Sequence, residues 1–577
     1  MQKPLTQAPN EAPVPEADNE LEVQTFPENN YVLVFTGLNL LVFVAAMDQT
    51  IVSAALPTIV RDLGGGDAYS WAGTAYIIAA ASLTPLNGKL SDIVGRKPML
   101  FVNIAIFLIG SALCGASQSF IMFIISRAIQ GIGAGGIMPM MTIIIGDILP
   151  LESRATYSGI LGSIWGLAAL LGPLIGGALT DRASWRWAFW IVGVCVLTLF
   201  PFLIEDDHSQ NIPIGVVATG FFFPLKLNPL PRKTFAENLR EFDFIGLTLI
   251  MTGVLCLLVG FQLGQDNWAN PQAIATVVFA TLLLIGGCIN ELCTRKSPII
   301  PPRLLKTRTT TAILGAGAIH SATFMMATYF LPTYFQSLGS SATRSGIEML
   351  PFSMIGSLVS FLVGITVGKT GKYRPVFWGG FTLMTLGYAL MAQLDDRSSR
   401  VEKELYLFVA ALGAGTFFQI PTIALQAAMP IADMATTTTA YMLVRSLSSS
   451  IALSVGSVIF TSTLRRRLAE DAPDYHGSDR PISELANQLR DLILIEPPEL
   501  RQRVIHAYTK SISMMWLVCT PLLAVGLCLT FLIRGYSLKR PTVIKSTGIP
   551  TSSEESGEVI DHDEFGGYRD DDNVTDN

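Results

Sequence analysis

The sequence predicts an all-α polytopic membrane protein of fourteen transmembrane helices. Half of its 577 residues are hydrophobic and only 15% are charged, where a soluble chain carries roughly a quarter charged. Mean hydropathy is +0.47. The apolar residues come in blocks of about 20, the length a helix needs to cross a ~30 Å hydrocarbon core. Basic residues gather in a few of the polar intervals between blocks, and that grouping sets the orientation.

In chain order, uncharged or nearly uncharged runs place spans at 31–57, 70–88, 99–118, 120–145 and 156–180. After an ambiguous stretch come 242–264, 271–293, 310–336, 344–368, 374–393, 405–429, 434–462 and 513–535. The ambiguous stretch holds one uncharged run from Trp187 to Ile204, an acidic break at Glu205–Asp207, and a second run from Asn211 to Leu225. Lys89, Arg96 and Lys97 follow the second span, which puts that loop and the N-terminus in the cytosol. Further on, Lys226, Arg232, Lys233 and Arg240 form one basic loop, Arg295 to Arg308 another, and Lys369, Lys372 and Arg374 a third. A single crossing within 187–225 places all three inside; two crossings would place all three outside. One crossing, and fourteen spans, is therefore expected. Residues 463–512 then fall on the extracytosolic side despite Arg465, Arg466 and Arg467, and ISELANQLRDLILI within them reads as an amphipathic surface helix.

The net charge of −6 sits largely in two polar tails, 1–29 and 537–577, both expected to be disordered and cytosolic. No cleavable signal peptide is read ahead of the first span. The seven cysteines all lie in apolar blocks, so neither a disulfide framework nor a metal site is indicated. No G-x-x-x-x-G-K-[ST] occurs, which argues against nucleotide drive. No His, Asp or Cys cluster gathers as an enzyme would need, and nothing indicates a nucleic-acid partner. The expected partners are the lipid bilayer, a small organic substrate and the proton, with the chain acting as a monomer.

Between the second and third spans stands GKLSDIVGRKPML, residues 88–100, with Gly88, Asp92, Gly95, Arg96 and Lys97. A short hairpin with two glycines, an acid and two bases suits a latch between helices, the glycines permitting close backbone approach. The pattern closely resembles the loop-2–3 signature of the major facilitator superfamily, G-x-L-x-D-x-x-G-R-K. Three further stretches resemble motifs of its fourteen-span drug:proton antiporters: LVFVAAMDQTIVSAALPTIVRDL in the first span, SRAIQGIGAGGIMP in the fourth, and GLAALLGPLIGGAL in the fifth. The last carries Gly166, Gly172, Pro173, Gly176 and Gly177. The resemblance runs over about residues 31 to 535. It implies an N-terminal six-helix bundle over 30–225, an inserted pair over 242–293, and a C-terminal six-helix bundle over 310–535. A faint internal echo supports two parallel repeats: Gly364, Gly371 and Lys372-Tyr373-Arg374-Pro375 repeat the spacing around Gly88, with Gly368 where Asp92 stands, and GAGTFFQIP echoes GAGGIMP.

The family's fifth span typically leads into W-R-W-x-F-x-I-N-x-P-I-G. Here Trp185 to Ile191 match, and Asn211-Ile212-Pro213-Ile214-Gly215 resume after nineteen inserted residues. Removing 192–210 leaves one uncharged span. The insert begins with Val, whose codons start GT, and ends with Gln, which CAG encodes, so we read it as a retained intron. The alternative is a genuine insertion, with 187–204 spanning and 211–225 at the cytosolic surface.

A charge inside a bilayer costs at least ~2.5–3.5 kcal/mol, so each requires a reason. Asp48 lies about 24 Å from the inner edge and Arg127 about 10 Å from the outer one, at ~1.5 Å per residue. Both fall in the outer half of the first bundle, where they could pair. That pair is either structural or proton-coupling: burial favours the neutral carboxyl and a neighbouring guanidinium the carboxylate, so a balanced acid can load and release a proton. Arg445 is a third intramembrane charge. By span position alone, Gln130, Tyr329, Tyr334, Gln336, Gln419, Gln426 and Arg445 are candidate lining for a substrate cavity. Small residues on the fifth helix suit close packing, and the resemblance associates that helix with export.

The resemblance implies a proton-coupled antiporter that exports amphipathic organic compounds, such as a toxin, secondary metabolite or drug, from the cytosol. It is most similar to fungal toxin and multidrug efflux pumps of the cell membrane, driven by a proton gradient and without a cofactor. A vacuolar importer of basic amino acids on the same frame is the nearest alternative, and a non-transporting nutrient sensor a more distant one. Sequencing the transcript across this region tests the inserted segment: mature message is expected to lack the codons for EDDHSQ, and message that encodes them removes the intron reading.

Overall fold

The computed structural model describes residues 29–64, 71–190, 242–264, 269–294, 303–430, 433–473 and 495–538, with the single positions 296, 475 and 492. The helices are α1 (Tyr31–Leu63), α2 (Trp71–Val94), α3 (Arg96–Gly115), α4 (Phe120–Ile148) and α5 (Leu151–Arg182). Then follow α6 (Phe244–Gly264), α7 (Pro271–Cys293), α8 (Arg308–Ser337), α9 (Leu350–Thr370) and α10 (Arg374–Met391), with the short helices Arg303–Lys306 and Ala342–Glu348 preceding α8 and α9. The chain closes with α11 (Arg400–Gly415), α12 (Ile420–Ala428), α13 (Met434–Asp471) and α14 (Pro498–Phe531). With α11 and α12 counted as one rod, thirteen rods stand where thirteen spans were expected, and ten meet both the length and the apolarity of a membrane crossing. Most of the remaining crossing, the inserted 192–210, most of the amphipathic stretch 482–495 and nearly all of both tails lie outside the described residues.

Local chemistry sets the helix starts. Asn30 accepts the Leu33 N–H at 3.2 Å, Ser119 accepts that of Met122 at 3.3 Å, and Ser399 with Glu402 forms a reciprocal capping box on α11. Two boundaries depart from the sequence reading. The span expected over 405–429 breaks at Thr416–Gln419, and Pro421 starts α12. The segment expected as a loop over 463–512 is helical at both ends, because α13 runs on to Asp471 and α14 begins at Pro498. A pin explains the second: His506 meets Asp396 at 2.5 Å, Lys510 meets Asp395 at 3.4 Å, and Ser513 donates to the Leu394 carbonyl. Despite the desolvation of its setting, hydrogen bonds from Ser398 and Arg397 and the nearby Lys510 hold the Asp395 carboxyl below its ordinary 3.8. A depressed acid contributes its stability above the ordinary value and loses it only as pH falls below, so the pin persists in a mildly acidic medium.

The glycine echo in the sequence is an echo of backbone contacts. A Cβ at Gly133 of α4 would overlap the Phe107 backbone of α3, and one at Gly413 of α11 would overlap the Met384 backbone of α10. Two residues on, Gly135 abuts the Ala80 carbonyl of α2 and Gly415 the Gly356 carbonyl of α9. Helices α2, α3 and α4 are thus arranged as α9, α10 and α11 are. The two basic hairpins share their turn chemistry: Gly95 has φ 110° and Gly371 φ 67°, values that favour glycine. We refer to the end carrying these hairpins as the hairpin end.

Two seams join the halves, α5 with α9 and α2 with α13. The pair α6–α7 sits on the second seam, where Leu247, Ile250, Val254 and Leu258 of α6 pack with Ile78 and Ala81 of α2 and Leu443 of α13. Helix α7 buries only Ala273, Ala280, Gly287 and Glu291, all toward α6 or the hairpin end, and turns Ile274, Val278, Leu282, Ile285, Ile289 and Leu292 outward. A spacing of three and four residues gives one apolar stripe, suited to lipid.

Overpacking a tight backbone crossing costs about 1–3 kcal/mol. Gly133→Ala and Gly413→Ala are each expected to lower the thermal unfolding temperature of the purified protein. Gly379→Ala, where a Cβ meets nothing within 4 Å, is expected to leave it unchanged; equal effects at all three would refute the repeat contacts.

Candidate functional site

Polar groups converge inside the N-terminal half at one place. Arg127 Nη1 donates to Asp48 Oδ2 at 2.8 Å and to Gln130 Oε1 at 2.6 Å, while Gln130 Nε2 donates to Asp48 Oδ1 at 2.8 Å. Arg127 Nε reaches the Ala72 carbonyl at 3.4 Å, and the guanidinium carbon stands 4.3 Å from the centre of the Tyr76 ring. Asp48 and Gln130 are 0% exposed and Arg127 2%. The sequence placed Asp48 and Arg127 near each other; it assigned Gln130 to the substrate lining, whereas the structure makes it the third member of this triangle. Residues three apart share a helix face, so the position of Gln130 after Arg127 was a readable signal.

Helix α5 links this triangle to the seam. Its outer glycines, Gly172 and Gly176, lie against Thr50 and Ile51 of α1, the turn that follows Asp48, and Thr50 Oγ1 donates to the Ala168 carbonyl at 3.3 Å. Its inner glycines meet α9: Gly159 faces Gly364, Gly162 faces Ser360, and Gly166 faces Ser357. The side chain of Pro173 and position 177 lie outside the described residues.

At the hairpin end the halves are shut. Gly88 of α2 faces Thr439 of α13. Arg96 is held between Asp92, its neighbour one turn back, and Asp147 of α4 at 3.0 Å. Lys97 lies beside it, half-buried. The carboxylates of Asp92, Glu291 and Asp433 act together on Lys89, one from each of the N-terminal half, the inserted pair and the C-terminal half. Arg154, 1% exposed, was missed by the sequence reading. Its guanidinium donates to the Leu149 carbonyl at 2.9 Å and the Gly146 carbonyl at 2.5 Å, closing the end of α4. Across the gap it reaches Gln426 Oε1 at 3.2 Å and Met434 Sδ at 3.3 Å. Gln426, which also donates to Thr438 at 3.0 Å, therefore belongs to this closure and not to a cavity wall.

The other candidate lining residues divide. Tyr334 is buried and donates to the Asp395 carbonyl at 2.8 Å, and Gln336 donates to Ser345 at 3.2 Å, so both serve the end opposite the hairpins. Tyr329 is 51% exposed. Gln419 and Arg445 stand at mid-membrane beside the break between α11 and α12, where Arg445 Nε reaches Ser321 at 3.2 Å.

The family model described as Major Facilitator Superfamily matches residues 38–453. The chain belongs to this superfamily. An uncharacterized transporter of Schizosaccharomyces pombe is 36% identical over 518 residues, covering 89% of this chain and 83% of the relative. Efflux pump dotC of Dothistroma septosporum is 32% identical, covering 91% and 87%. Efflux pump FUS6 of Gibberella fujikuroi is 30% identical, covering 93% and 95%. Among solved structures, a bacterial homolog of the human lysosomal transporter Spinster shares the fold, with a TM-score of 0.52 at 16% identity over 88% of this chain and 97% of the other. The chain is a multi-pass membrane transporter of the major facilitator type.

Breaking the Arg154 tie is expected to loosen the closure of this facilitator. With spin labels at Lys97→Cys and Lys372→Cys, Arg154→Leu should add a longer-distance population to the hairpin-end distribution. An unchanged distribution would remove Arg154 from that role.

Proposed function

We propose that this facilitator exports amphipathic organic compounds from the cytosol across the cell membrane in exchange for protons, with Asp48 as the proton carrier. The observation that carries this reading is the Asp48–Arg127–Gln130 triangle: a wholly buried acid whose hold on a guanidinium depends on its charge. A proton arriving at Asp48 weakens that hold, since a neutral carboxyl has no ionic attraction for Arg127. Asp48 shares a turn of α1 with Thr50 and Ile51, which bear on the outer glycines of α5. The inner glycines of the same helix form the seam with α9, so protonation and opening of the halves act on one rod. With the hairpin end taken as cytosolic from its basic residues, the closed Arg154 contacts bar entry from the cytosol until that seam yields. One proton moving through ~100 mV supplies about 2.3 kcal/mol, enough for about a fortyfold gradient. The similarity to efflux pumps of other fungi supports the outward direction.

Asp48→Asn keeps the size of the side chain and one of its two acceptor oxygens but cannot take up a proton. In sealed vesicles, transport driven by a pH difference is expected to fall to background while the variant still elutes as a folded protein, with a lowered unfolding temperature because Arg127 loses its counter-charge. Wild-type transport rates in that variant would dismiss Asp48 as the carrier, and no transport of any compound in a broad panel by the parent protein would dismiss the proposal.

A further inference from the structure

Arg445 lies about eleven residues past Met434, the start of α13, and is half-buried at mid-membrane. Among the described residues, no carboxylate stands within ion-pair distance of it. Its guanidinium meets neutral groups instead, the Ser321 hydroxyl at 3.2 Å and the Phe418 carbonyl at 3.3 Å. By contrast, Asp48 and Arg127 pair with each other at 2.8 Å.

The surroundings of Arg445 are aromatic and lie where the halves meet. Phe418 occupies the break between α11 and α12, with its ring 6.3 Å from Trp165 of α5 and 4.9 Å from Phe324 of α8. All three rings are half-buried, unlike the closed core rings behind them. Next to them His320, 1% exposed, stands 5.6 Å from Phe418; its Nε2 donates to the Ala414 carbonyl at 2.9 Å, and its Nδ1 has no partner among the described residues. At the break, α12 starts two residues after Phe418, and a helix start carries partial positive charge.

We infer that this cluster binds the transported compound and selects aromatic organic anions. Arg445 and the start of α12 meet a carboxylate or sulfonate; Trp165, Phe324 and Phe418 take the ring; Nδ1 of His320 hydrogen-bonds a ring substituent. The inference rests on the export reading only in taking the bound compound as cargo. A cation in a partly desolvated site attracts an anion far more strongly than at the surface, and flat rings stack on aromatic side chains.

The test is equilibrium dialysis of the full-length protein in nanodiscs, without a gradient, against three labelled probes of one shape: 2-naphthoate, 2-naphthamide and 2-naphthylmethylammonium. Naphthoate should bind at least about tenfold more tightly than the amide, at ~1.4 kcal/mol per decade, and the cation should bind more weakly than either. Arg445→Gln should abolish the preference, weakening naphthoate at least about tenfold more than it weakens the amide, and Arg445→Lys should retain most of it. A wild-type protein that is charge-blind, prefers the cation or binds none of the probes overturns the inference, as does Arg445→Gln with its preference intact. Because binding is read without a gradient, anion binding without proton-driven transport would remove the export reading alone. Proton-driven transport with charge-blind binding would remove this site alone.

Discussion

A guanidinium closed inside an apolar bundle must find every one of its partners within the protein, and Arg127 shows what that demands. One carboxylate, one amide, one backbone carbonyl and one aromatic face, drawn from α1, α2 and α4, converge on it. Those helices cannot shift relative to one another without exposing an unmet donor, which costs several kcal/mol in hydrocarbon. Helices α1, α2 and α4 are therefore held as one body around Arg127. Arg154 meets the same demand differently. It satisfies two carbonyls of its own half and reaches Gln426 of the other, so its donors are met only while the hairpin end stays shut.

The seams are built for movement by different means. Along α5 and α9, glycines and serines let the rods approach with little side-chain interlock. Along α2 and α13 the contact is narrower, centred on Gly88 and Thr439, and is overlaid by the greasy face of α6. The polar ties concentrate at one end of both seams. The repeat organisation makes this possible, since α2 against α13 is the counterpart of α9 against α5.

Much of this was legible before any coordinates. Thirteen rods fall where uncharged runs of about the right length occur, because a bilayer reads length and polarity and little else. The repeat was readable from GAGG and GAG, since only glycine permits backbones to touch at those crossings. The break at Thr416–Gln419 was not, because hydropathy does not register a helix that unwinds within protein. The polar first turns of α14 were read as loop for the converse reason: ELRQRVIHAY lies beyond the apolar block, and a distant loop through Asp395 and Asp396 holds it helical. Within the site, the acid and base of the triangle were legible as isolated charges in apolar runs. Arg154 was not, because a charge at a span edge is commonplace and nothing in the sequence shows that it faces the other half. Tyr334 and Gln336 were misplaced because span position gives depth but not direction.

The added pair α6–α7 breaks the symmetry that the repeats would otherwise impose. Helix α6 leans on α2 from one half and on α13 from the other, so parting those two rods must drag it across at least one of them, whereas the seam between α5 and α9 carries, among the described residues, only the short helix Ala342–Glu348. The two flanks are therefore loaded unequally, and parting the halves would meet the larger apolar contact on the side of α6. A clasp so built would be stiffer on one side than on the other.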